Sequence, residues 1–350
     1  MTPQFWSGRR VLITGHTGFK GGWLALKLAR AGARVSGIAL EPATDPALFE
    51  AARIAEVLDS HTICDIRDRA ALRDAVVASA PEIVFHLAAQ PLVRASYDDP
   101  VGTFSTNVMG TVHLFDALAA LQGVRACVNV TTDKVYWNEE RAGGYVETDR
   151  LGGRDPYAAS KACAELATDA WRASFLASRG IAVATARAGN VIGGGDWADN
   201  RIVPDALRAW DRGEPLVVRA PRAVRPWQHV LEPLAGYVAL AEALVGRPQD
   251  FAQGWNFGPA SQDARPVAWI ADYLAQTVPG FAWHAQGDGG PHEAGLLEVD
   301  SAKALAALPW HPRWSLAEAL DHTVAWHRAW REGEDAQAQC FAQIASHEAA

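Results

Sequence analysis

The chain has 350 residues, of which 49% are hydrophobic and 21% are charged, and its formal net charge is -8. These values are ordinary for a globular enzyme of one large or two modest domains. An acidic chain lacks the broad basic face that phosphate backbones require, so nucleic acid is excluded as an expected partner. No apolar run approaches the length of a membrane span and no signal peptide is apparent. The four cysteines form no C-x-x-C pair, which is typical of thiols in a reducing compartment, so we expect a cytoplasmic protein with no membrane partner.

Short apolar runs alternate with helical patterns through the first half of the chain. Strands are predicted at residues 10–14, 34–40, 62–65, 82–87, 126–131 and 182–187. Helical patterns lie between them, for example at residues 22–31, 101–121 and 157–178. Strands that alternate with helices predict an α/β fold with a doubly wound parallel Rossmann sheet. Ligands of such sheets bind beyond the carboxyl ends of the strands, so candidate site residues are sought there.

After Asn190 this alternation breaks down, and glycine and proline interrupt a mixed segment. We expect a smaller mixed α/β substrate domain there, covering the strand ends of the first domain. The predicted dinucleotide-binding domain spans residues 1–188 and regains a segment around 228–258. The second domain is predicted at 189–227 and 259–335, followed by a polar tail at 336–350.

The turn after the first predicted strand has the pattern G-x-x-G-x-x-G. Its glycines, Gly15, Gly18 and Gly21, would let the backbone approach a pyrophosphate at the N-terminus of the next helix. A strand before the turn and a helix after it favour a dinucleotide site. Asp65, which ends the third predicted strand, is a candidate adenine contact. The second strand ends without arginine and offers only the late Glu41 for ribose hydroxyls, which leaves NAD or NADP open.

Lysine is rare in this chain, with five residues among the 32 lysines and arginines, yet two lysines occupy candidate reaction positions. Lys134 follows Asp133, and Lys161 closes a Tyr-x-x-x-Lys pattern that begins at Tyr157. Arginine does not release its proton in proteins, whereas burial can tune lysine. Tyr157 and Lys161 lie one helical turn apart. We therefore expect the ammonium to lower the pKa of the phenol, which would make it a base toward a substrate hydroxyl.

The order of these motifs resembles that of the extended short-chain dehydrogenase/reductases over nearly the whole chain. The resemblance includes His86-Leu87-Ala88-Ala89-Gln90, Asn107-Val108-Met109-Gly110-Thr111, Asn190-Val191-Ile192-Gly193 and Trp255-Asn256-Phe257-Gly258. The Asp133-Lys134 pair is similar to that of the CDP-glucose 4,6-dehydratase subfamily, whereas dTDP-glucose enzymes carry aspartate followed by glutamate. Residues 16–21, 90–94, 188–197 and 225–230 also match this subfamily. Val135 departs from it, because cysteine is expected there.

The resemblance implies an NAD-dependent hydro-lyase that converts CDP-glucose to its 4-keto-6-deoxy form, a step in deoxysugar and O-antigen biosynthesis. The implied catalytic residues are Thr132, Asp133, Lys134, Tyr157 and Lys161. The implied cofactor contacts are Gly15, Thr17, Gly18, Phe19, Lys20, Gly21, Asp65, Ile66, Leu87, Ala88, Ala89, Asn107, Tyr157 and Lys161. The implied substrate contacts are Gln90, Arg94, Asn190, Arg201, Arg225, Asn256 and Arg265. No metal site is expected, because the 11 histidines show no ligand spacing.

In the implied mechanism, Tyr157 deprotonates the sugar 4-hydroxyl and Lys161 holds the phenolate. Lys134 takes the C5 proton, and Asp133 protonates the leaving 6-hydroxyl. Two alternatives stay open: an epimerase or dehydratase of a dTDP- or UDP-linked sugar, and a non-catalytic NAD(P) sensor. A sensor has no use for these four side chains. The helices at 101–121 and 157–178 are expected to pair across a two-fold axis in a homodimer, or within a tetramer.

Overall fold

The computed structural model describes residues 1–286 and 296–350 of the chain. The described residues form twelve strands: β1 (Arg10–Thr14), β2 (Arg34–Ala39), β3 (Ser60–Ile63), β4 (Ile83–His86), β5 (Ala126–Val130), β6 (Ala182–Ala188), β7 (Asn190–Ile192), β8 (Leu216–Val218), β9 (Val224–His229), β10 (Gly254–Phe257), β11 (Ala264–Pro266) and β12 (Trp283–Ala285). The largest sheet has seven parallel strands in the order β10-β6-β5-β4-β1-β2-β3. The predicted α/β Rossmann-like fold is confirmed.

Helices connect and cover the strands. The α-helices of the described residues are Pro3–Trp6, Phe19–Arg30, Leu48–Ala51, Arg69–Ser79, Val93–Asp98, Pro100–Phe104, Gly110–Ala119, Pro156–Trp171, Ile202–Arg212, Leu231–Gly246, Pro248–Phe251, Val267–Thr277, Ala302–Ala307, Leu316–Arg331 and Ala336–Ala349. Short π-helical segments are Ser105–Met109 and Arg172–Leu176. The 3-10 segments are Ile54–Val57, Asp133–Val135, Ala177–Arg179 and Ser261–Asp263. The two long helical patterns predicted at 101–121 and 157–178 therefore each contain a π-helical turn.

The central strands are buried along their whole length and mostly apolar, because helices cover both faces of the sheet. Every residue of β4, β5 and β6 is buried. The six predicted strands are all present, and the third begins two residues earlier than expected. The edge strand β3 is short and exposed throughout, so its sequence shows the weakest apolar pattern of the six predicted strands.

The second half of the chain adds two small sheets. One has the order β11-β9-β7 and the other pairs β12 with β8. After helix Leu231–Gly246 the chain returns to the main sheet, where β10 pairs in parallel with β6. The division at 188, 227 and 258 stays a prediction, and its last segment includes residues 287–295, which lie outside the described residues.

The C-terminal residues form a helix, Ala336–Ala349, where we expected a polar tail at 336–350. Asp335 caps the helix by accepting hydrogen bonds from two of its first backbone N–H groups. Cys340, Ile344 and His347 recur at helical spacing and are buried. The expectation was wrong because the alanines and glutamines between them are good helix formers. Among the described residues, no helix is long and apolar enough to cross a membrane.

Candidate active site

The glycine turn is packed so tightly that two of its three glycines cannot carry a side chain. Gly15 has a φ of 82°, and a Cβ there would lie 2.8 Å from the backbone nitrogen of Ala88. A Cβ on Gly21 would lie 2.0 Å from the carbonyl oxygen of Gly15. Gly18 differs, because it is exposed, and its Cβ would approach only that same oxygen, at 3.4 Å. The backbone at Gly18 therefore faces open space.

This open space lies at the N-terminus of helix Phe19–Arg30, where Gly18 is the N-cap residue and no side chain caps the helix. Free backbone N–H groups and the helix dipole favour an anion there. The turn therefore fits a dinucleotide pyrophosphate, with Gly15, Thr17, Gly18, Phe19, Lys20 and Gly21 around it. Thr17 donates a hydrogen bond to the carbonyl oxygen of Leu40 and so ties the turn to the end of β2.

The end of β4 is held against this turn by Thr14. Its hydroxyl accepts hydrogen bonds from the backbone N–H groups of Leu87 and Ala88, both at 3.2 Å, and lies 2.6 Å from Nδ1 of His86. Burial and the charge of Lys161 lower the pKa of His86 to about 3, so this imidazole is neutral. The predicted cofactor segment that ends with Ala89 is thereby fixed beside the glycine turn.

The predicted adenine contact, Asp65, is half-buried at the end of the third strand and is engaged by Arg67 through both carboxylate oxygens. The guanidinium lowers the pKa of Asp65, although burial opposes this. Ile66 packs against Gly110, where a Cβ would come within 2.4 Å of its Cδ1 atom. The adenine contact of Asp65 and the cofactor contact of Ile66 stay predictions.

Two predicted ligand contacts have side chains that are already bonded within the protein. Asn107 is buried, accepts a hydrogen bond from the backbone N–H of Gln90 and donates to Ser160 Oγ at 2.9 Å. The Gln90 amide donates to Thr103 Oγ1 and accepts from the backbone N–H of Leu92. The structure thus favours a positioning role for both, which joins the loop after β4 to helix Pro156–Trp171.

Tyr157 and Lys161 lie on helix Pro156–Trp171, which is capped by Asp155. The Lys161 ammonium donates to the carbonyl oxygen of Val130 at 2.9 Å, at the end of β5. Burial lowers the pKa of Lys161 to about 8, and the Glu165 carboxylate opposes this effect.

The pKa of Tyr157 is raised to about 12, where we expected it to be lowered. Burial is the largest cause, the Thr132 hydroxyl opposes it, and the Asp133 charge adds to it. The expectation was wrong because the Lys161 ammonium points to the Val130 carbonyl, so burial outweighs every opposing contact of the phenol.

Asp133 and Lys134 lie in the 3-10 turn that directly follows β5. Asp133 is buried, and its Oδ1 atom accepts from the Thr132 hydroxyl at 2.9 Å and from Lys134 Nζ at 3.2 Å. Its Oδ2 atom is also buried but has no hydrogen-bond partner among the described residues. One carboxylate oxygen is therefore bonded within the protein, while the other has no partner among these residues.

Two lysines, Lys20 and Lys134, lie close to this carboxylate. Lys20, from helix Phe19–Arg30, has its pKa lowered to about 7, chiefly by burial. The charges of Arg201, Lys161 and Lys134 lower it further, whereas Asp133 opposes them. The glycine turn, the end of β5 and helix Pro156–Trp171 thus converge on one cleft in which positive charge exceeds negative charge. Such a cleft suits an anionic ligand.

Two of the predicted substrate arginines lie on the segments that follow β4 and β7. Arg94 and Arg219 both donate to Oδ1 of Asn200, at 3.3 and 3.2 Å, and Arg201 pairs with Asp196 at 2.9 Å. We had not predicted Arg219. The sequence carried no signal for it beyond one more arginine among many, because only the folded chain shows that it shares Asn200 with Arg94.

Two further predicted arginines, Arg225 and Arg265, face each other as paired residues of β9 and β11. Asn190 begins β7 and is half-buried. The predicted role of Asn256 in substrate binding is not supported. Its side chain is fully buried, donates to two backbone carbonyls and accepts from the hydroxyl of Tyr136, so none of it is free to contact a ligand.

The sequence profile of the NAD dependent epimerase/dehydratase family matches residues 11–252. The chain belongs to this family. A relative within the family, the CDP-glucose 4,6-dehydratase of Salmonella typhimurium, is 50% identical over 339 residues, which cover 95% of this chain and 94% of the relative. The dTDP-glucose 4,6-dehydratase of Streptomyces antibioticus is 31% identical over 92% of this chain and 94% of its own length.

Solved structures agree with this assignment at the level of the fold. The UDP-glucose 4-epimerase of Thermotoga maritima is 21% identical, covers 92% of this chain and 99% of its own, and superposes with a TM-score of 0.78. MoeE5 in complex with UDP-glucose and NAD is 24% identical with the same coverage and a TM-score of 0.76. Within the part of the chain that the structure describes, no group of three or more His, Cys, Asp or Glu residues could hold a metal ion.

The variant Gly18→Ala tests whether the pyrophosphate lies in the open space beside Gly18. Its φ of -84° is accessible to alanine, so the variant should fold, with a small loss of melting temperature because alanine is a poorer N-cap than glycine. The added methyl group would occupy the space assigned to the pyrophosphate, and we expect NAD affinity measured by calorimetry to fall at least about tenfold, equivalent to ~1.4 kcal/mol. Gly246→Ala, where the added Cβ would have nothing within 4 Å, is the control for a glycine-to-alanine change far from the turn. Equal affinity in the two variants would contradict the placement of the pyrophosphate.

Proposed function

We propose that the chain is a CDP-glucose 4,6-dehydratase, which converts CDP-glucose to CDP-4-keto-6-deoxyglucose and water. The observation that carries this proposal is the buried Asp133, bonded to Lys134 and close enough to Tyr157 to shift its pKa. Two acid/base pairs in one cleft fit a reaction of two proton-transfer stages. The relative at 50% identity supports the choice of sugar nucleotide.

NAD, bound at the glycine turn, would supply the redox chemistry by accepting hydride from C4 of the sugar and returning it to C6. Tyr157 removes the proton of the 4-hydroxyl. The Thr132 hydroxyl, which donates to Asp133 Oδ1 in the free protein, rotates to donate to the C4 oxygen. Lys161 provides a fixed positive charge near the phenolate and toward the nicotinamide ribose. Because the phenol is buried and has a raised pKa, its deprotonation depends on positive charge in the closed cleft.

The elimination uses the turn after β5. Once C4 is a ketone, the C5 proton becomes acidic and the 6-hydroxyl can leave. Lys134, which is partly exposed, takes the C5 proton as a base. Asp133 protonates the leaving hydroxyl through Oδ2, the oxygen that has no protein partner. The resting pair is an ammonium and a carboxylate, so a proton must first pass from Lys134 to Asp133 across their 3.2 Å contact. The neutral amine then takes the C5 proton and the protonated carboxyl gives its proton to the leaving hydroxyl, which restores the ammonium and the carboxylate.

The diphosphate of the substrate would lie among the arginines. A guanidinium presents paired donors that match phosphate oxygens. The candidates are Arg94, on helix Val93–Asp98, and four arginines from the second half of the chain, Arg201, Arg219, Arg225 and Arg265. The four cysteines are free thiols, and we place the enzyme in the cytoplasm on that ground, where such thiols remain reduced.

The direct test is turnover of CDP-glucose, dTDP-glucose and UDP-glucose side by side, followed by mass spectrometry for loss of water. We expect the highest kcat/KM with CDP-glucose. A site that accepts a hydrogen bond from the cytosine amino group can discriminate by ~10⁴ against a carbonyl. No free NADH should accumulate, because the redox change is internal. NADH that rises in proportion to product would indicate a simple dehydrogenase, and a preference for dTDP-glucose would overturn the subfamily assignment.

The two acid/base pairs are separable by mutation. Asp133→Asn and Lys134→Gln should each slow dehydration by about 10² to 10⁴, because each removes one partner of the elimination. Oxidation at C4 should persist, so single-turnover absorbance should show reduced nicotinamide that decays slowly. Lys303→Gln, which removes a lysine bonded to the Gly254 carbonyl, controls for loss of an ammonium elsewhere. Near wild-type dehydration by both site variants would refute these roles.

We also propose that the chain forms a homodimer through the helical segments at 93–119 and 156–176. The two segments pack side by side, and their outer faces expose six large apolar side chains. These are Tyr97, Val101, Phe104, Met109, Leu166 and Phe175. Exposed apolar residues grouped in this way mark an interface, and burying them removes apolar surface from water. A two-fold axis would place the same patch of each protomer on its partner.

Leu166→Glu should shift the protein from dimer to monomer in light scattering, because an isologous interface would bury the new carboxylate near its own copy. Leu305→Glu is the matched control, since Leu305 is similarly exposed but lies on another helix. A monomeric wild-type protein, or equal behaviour of the two variants, would contradict the proposed interface.

A further inference from the structure

Glu165 is a buried carboxylate for which the proposed reaction has no direct use. It lies on helix Pro156–Trp171, one turn beyond Lys161 and two turns beyond Tyr157, and it is 1% exposed. It forms an ion pair with Arg187 at 2.8 Å, and both partners are almost inaccessible to water. Because a buried ion pair is weak evidence of a gain in stability, its presence beside the site calls for another explanation.

The contacts of this carboxylate join the helix to the two strands beside it. Oε1 accepts from the Thr131 hydroxyl and from Arg187 Nε, and Oε2 accepts from Thr185 Oγ1 at 2.6 Å. Thr185 and Arg187 belong to β6, whereas Thr131 directly follows β5 and precedes Thr132. Glu165 therefore holds the first residue of the segment that carries the elimination pair.

The ion pair also braces the far end of that segment. Arg187 donates through its remaining terminal nitrogen to the hydroxyl of Tyr136 at 2.7 Å. Tyr136 is the residue immediately after the 3-10 turn Asp133–Val135. Its hydroxyl in turn donates to Asn256 at 2.7 Å. The segment is thus fixed at both ends by one network. The Lys161 ammonium also holds Val130, the last residue of β5, which directly precedes this segment.

We propose that Glu165 is a positioning residue, which fixes residues 131–134 against Tyr157 and Lys161. The groups for proton transfer at C4 and those for elimination at C5 and C6 are thereby held at a constant distance from each other. The inference rests on the proposed dehydratase function and adds a residue to its machinery. A shift of about 1 Å in such an arrangement can cost ~10² in rate.

Glu165 also acts on the charge of Lys161. Burial lowers the pKa of that ammonium to about 8, and the Glu165 carboxylate is the group that raises it. The other charged or titratable groups that face Lys161 are His86 from β4, which is neutral, and Lys20 from helix Phe19–Arg30, which repels it. Removing the carboxylate therefore moves the loss of the Lys161 proton to lower pH.

A matched pair of variants tests the geometry without breaking the ion pair. Thr131→Val and Thr185→Val each remove one hydroxyl bonded to Glu165, but only Thr131 lies on the elimination segment. We expect Thr131→Val to lower kcat by about 10- to 10²-fold with little change in KM, and to let reduced nicotinamide accumulate during one turnover. Thr185→Val should keep kcat within about threefold at a comparable loss of melting temperature. The proposal would be overturned if the two variants lost kcat equally, or if the loss of kcat in each variant were proportional to its loss of melting temperature.

The charge effect is tested with Glu165→Gln. The pH at which NAD affinity falls on the alkaline side should move down, whereas Glu147→Gln, a carboxylate bonded to the backbone of Asn256, should leave it unchanged. This binding measurement needs no sugar nucleotide, so it tests the inference even if the protein does not turn over CDP-glucose. Absence of turnover would refute the proposed function but not the effect of Glu165 on Lys161. An unshifted pH dependence in a folded Glu165→Gln variant would overturn the effect on Lys161.

Discussion

The hydrogen bond from the Lys161 ammonium to the Val130 carbonyl is the contact on which the site depends. It joins helix Pro156–Trp171 to the carboxyl end of β5, the strand from which the turn with Asp133 and Lys134 emerges. A buried ammonium requires such a partner, because an unpaired charge in the interior is costly. The same bond therefore stabilises the charged lysine and sets the distance between the two acid/base pairs.

The order of the strands makes this meeting possible. β5 lies inside the sheet between β4 and β6, so its end is flanked by the loop after β4 and by β6 with Arg187. The glycine turn follows β1, which lies next to β4. Parallel strands deliver all of these segments to one edge of the sheet, where ligands of α/β folds bind. Lys20, Lys134 and Lys161 are among the cations gathered there, and positive charge at this edge suits a nucleotide diphosphate sugar.

The parts of the site that could be predicted from the sequence are those with a local pattern. The glycine turn, Tyr157 with Lys161, and Asp133 with Lys134 each consist of residues close in sequence, and the structure brings them together. Asn256 was misassigned, because sequence shows that an amide is present but not that three buried partners already occupy it. Arg219 and Glu165 were missed for the converse reason, since their partners lie far from them or on other strands. The pKa of Tyr157 was predicted with the wrong sign because burial depends on the whole fold.

The central claim is that hydride leaves C4 and returns to C6 of the same sugar while residues of the chain move the protons. Turnover of CDP-glucose that carries deuterium at C4, followed by NMR of the product, measures this directly. The account predicts deuterium at C6 of the 4-keto-6-deoxy product and none in free NADH. Deuterium that is lost to solvent, or that is recovered in released NADH, would contradict it.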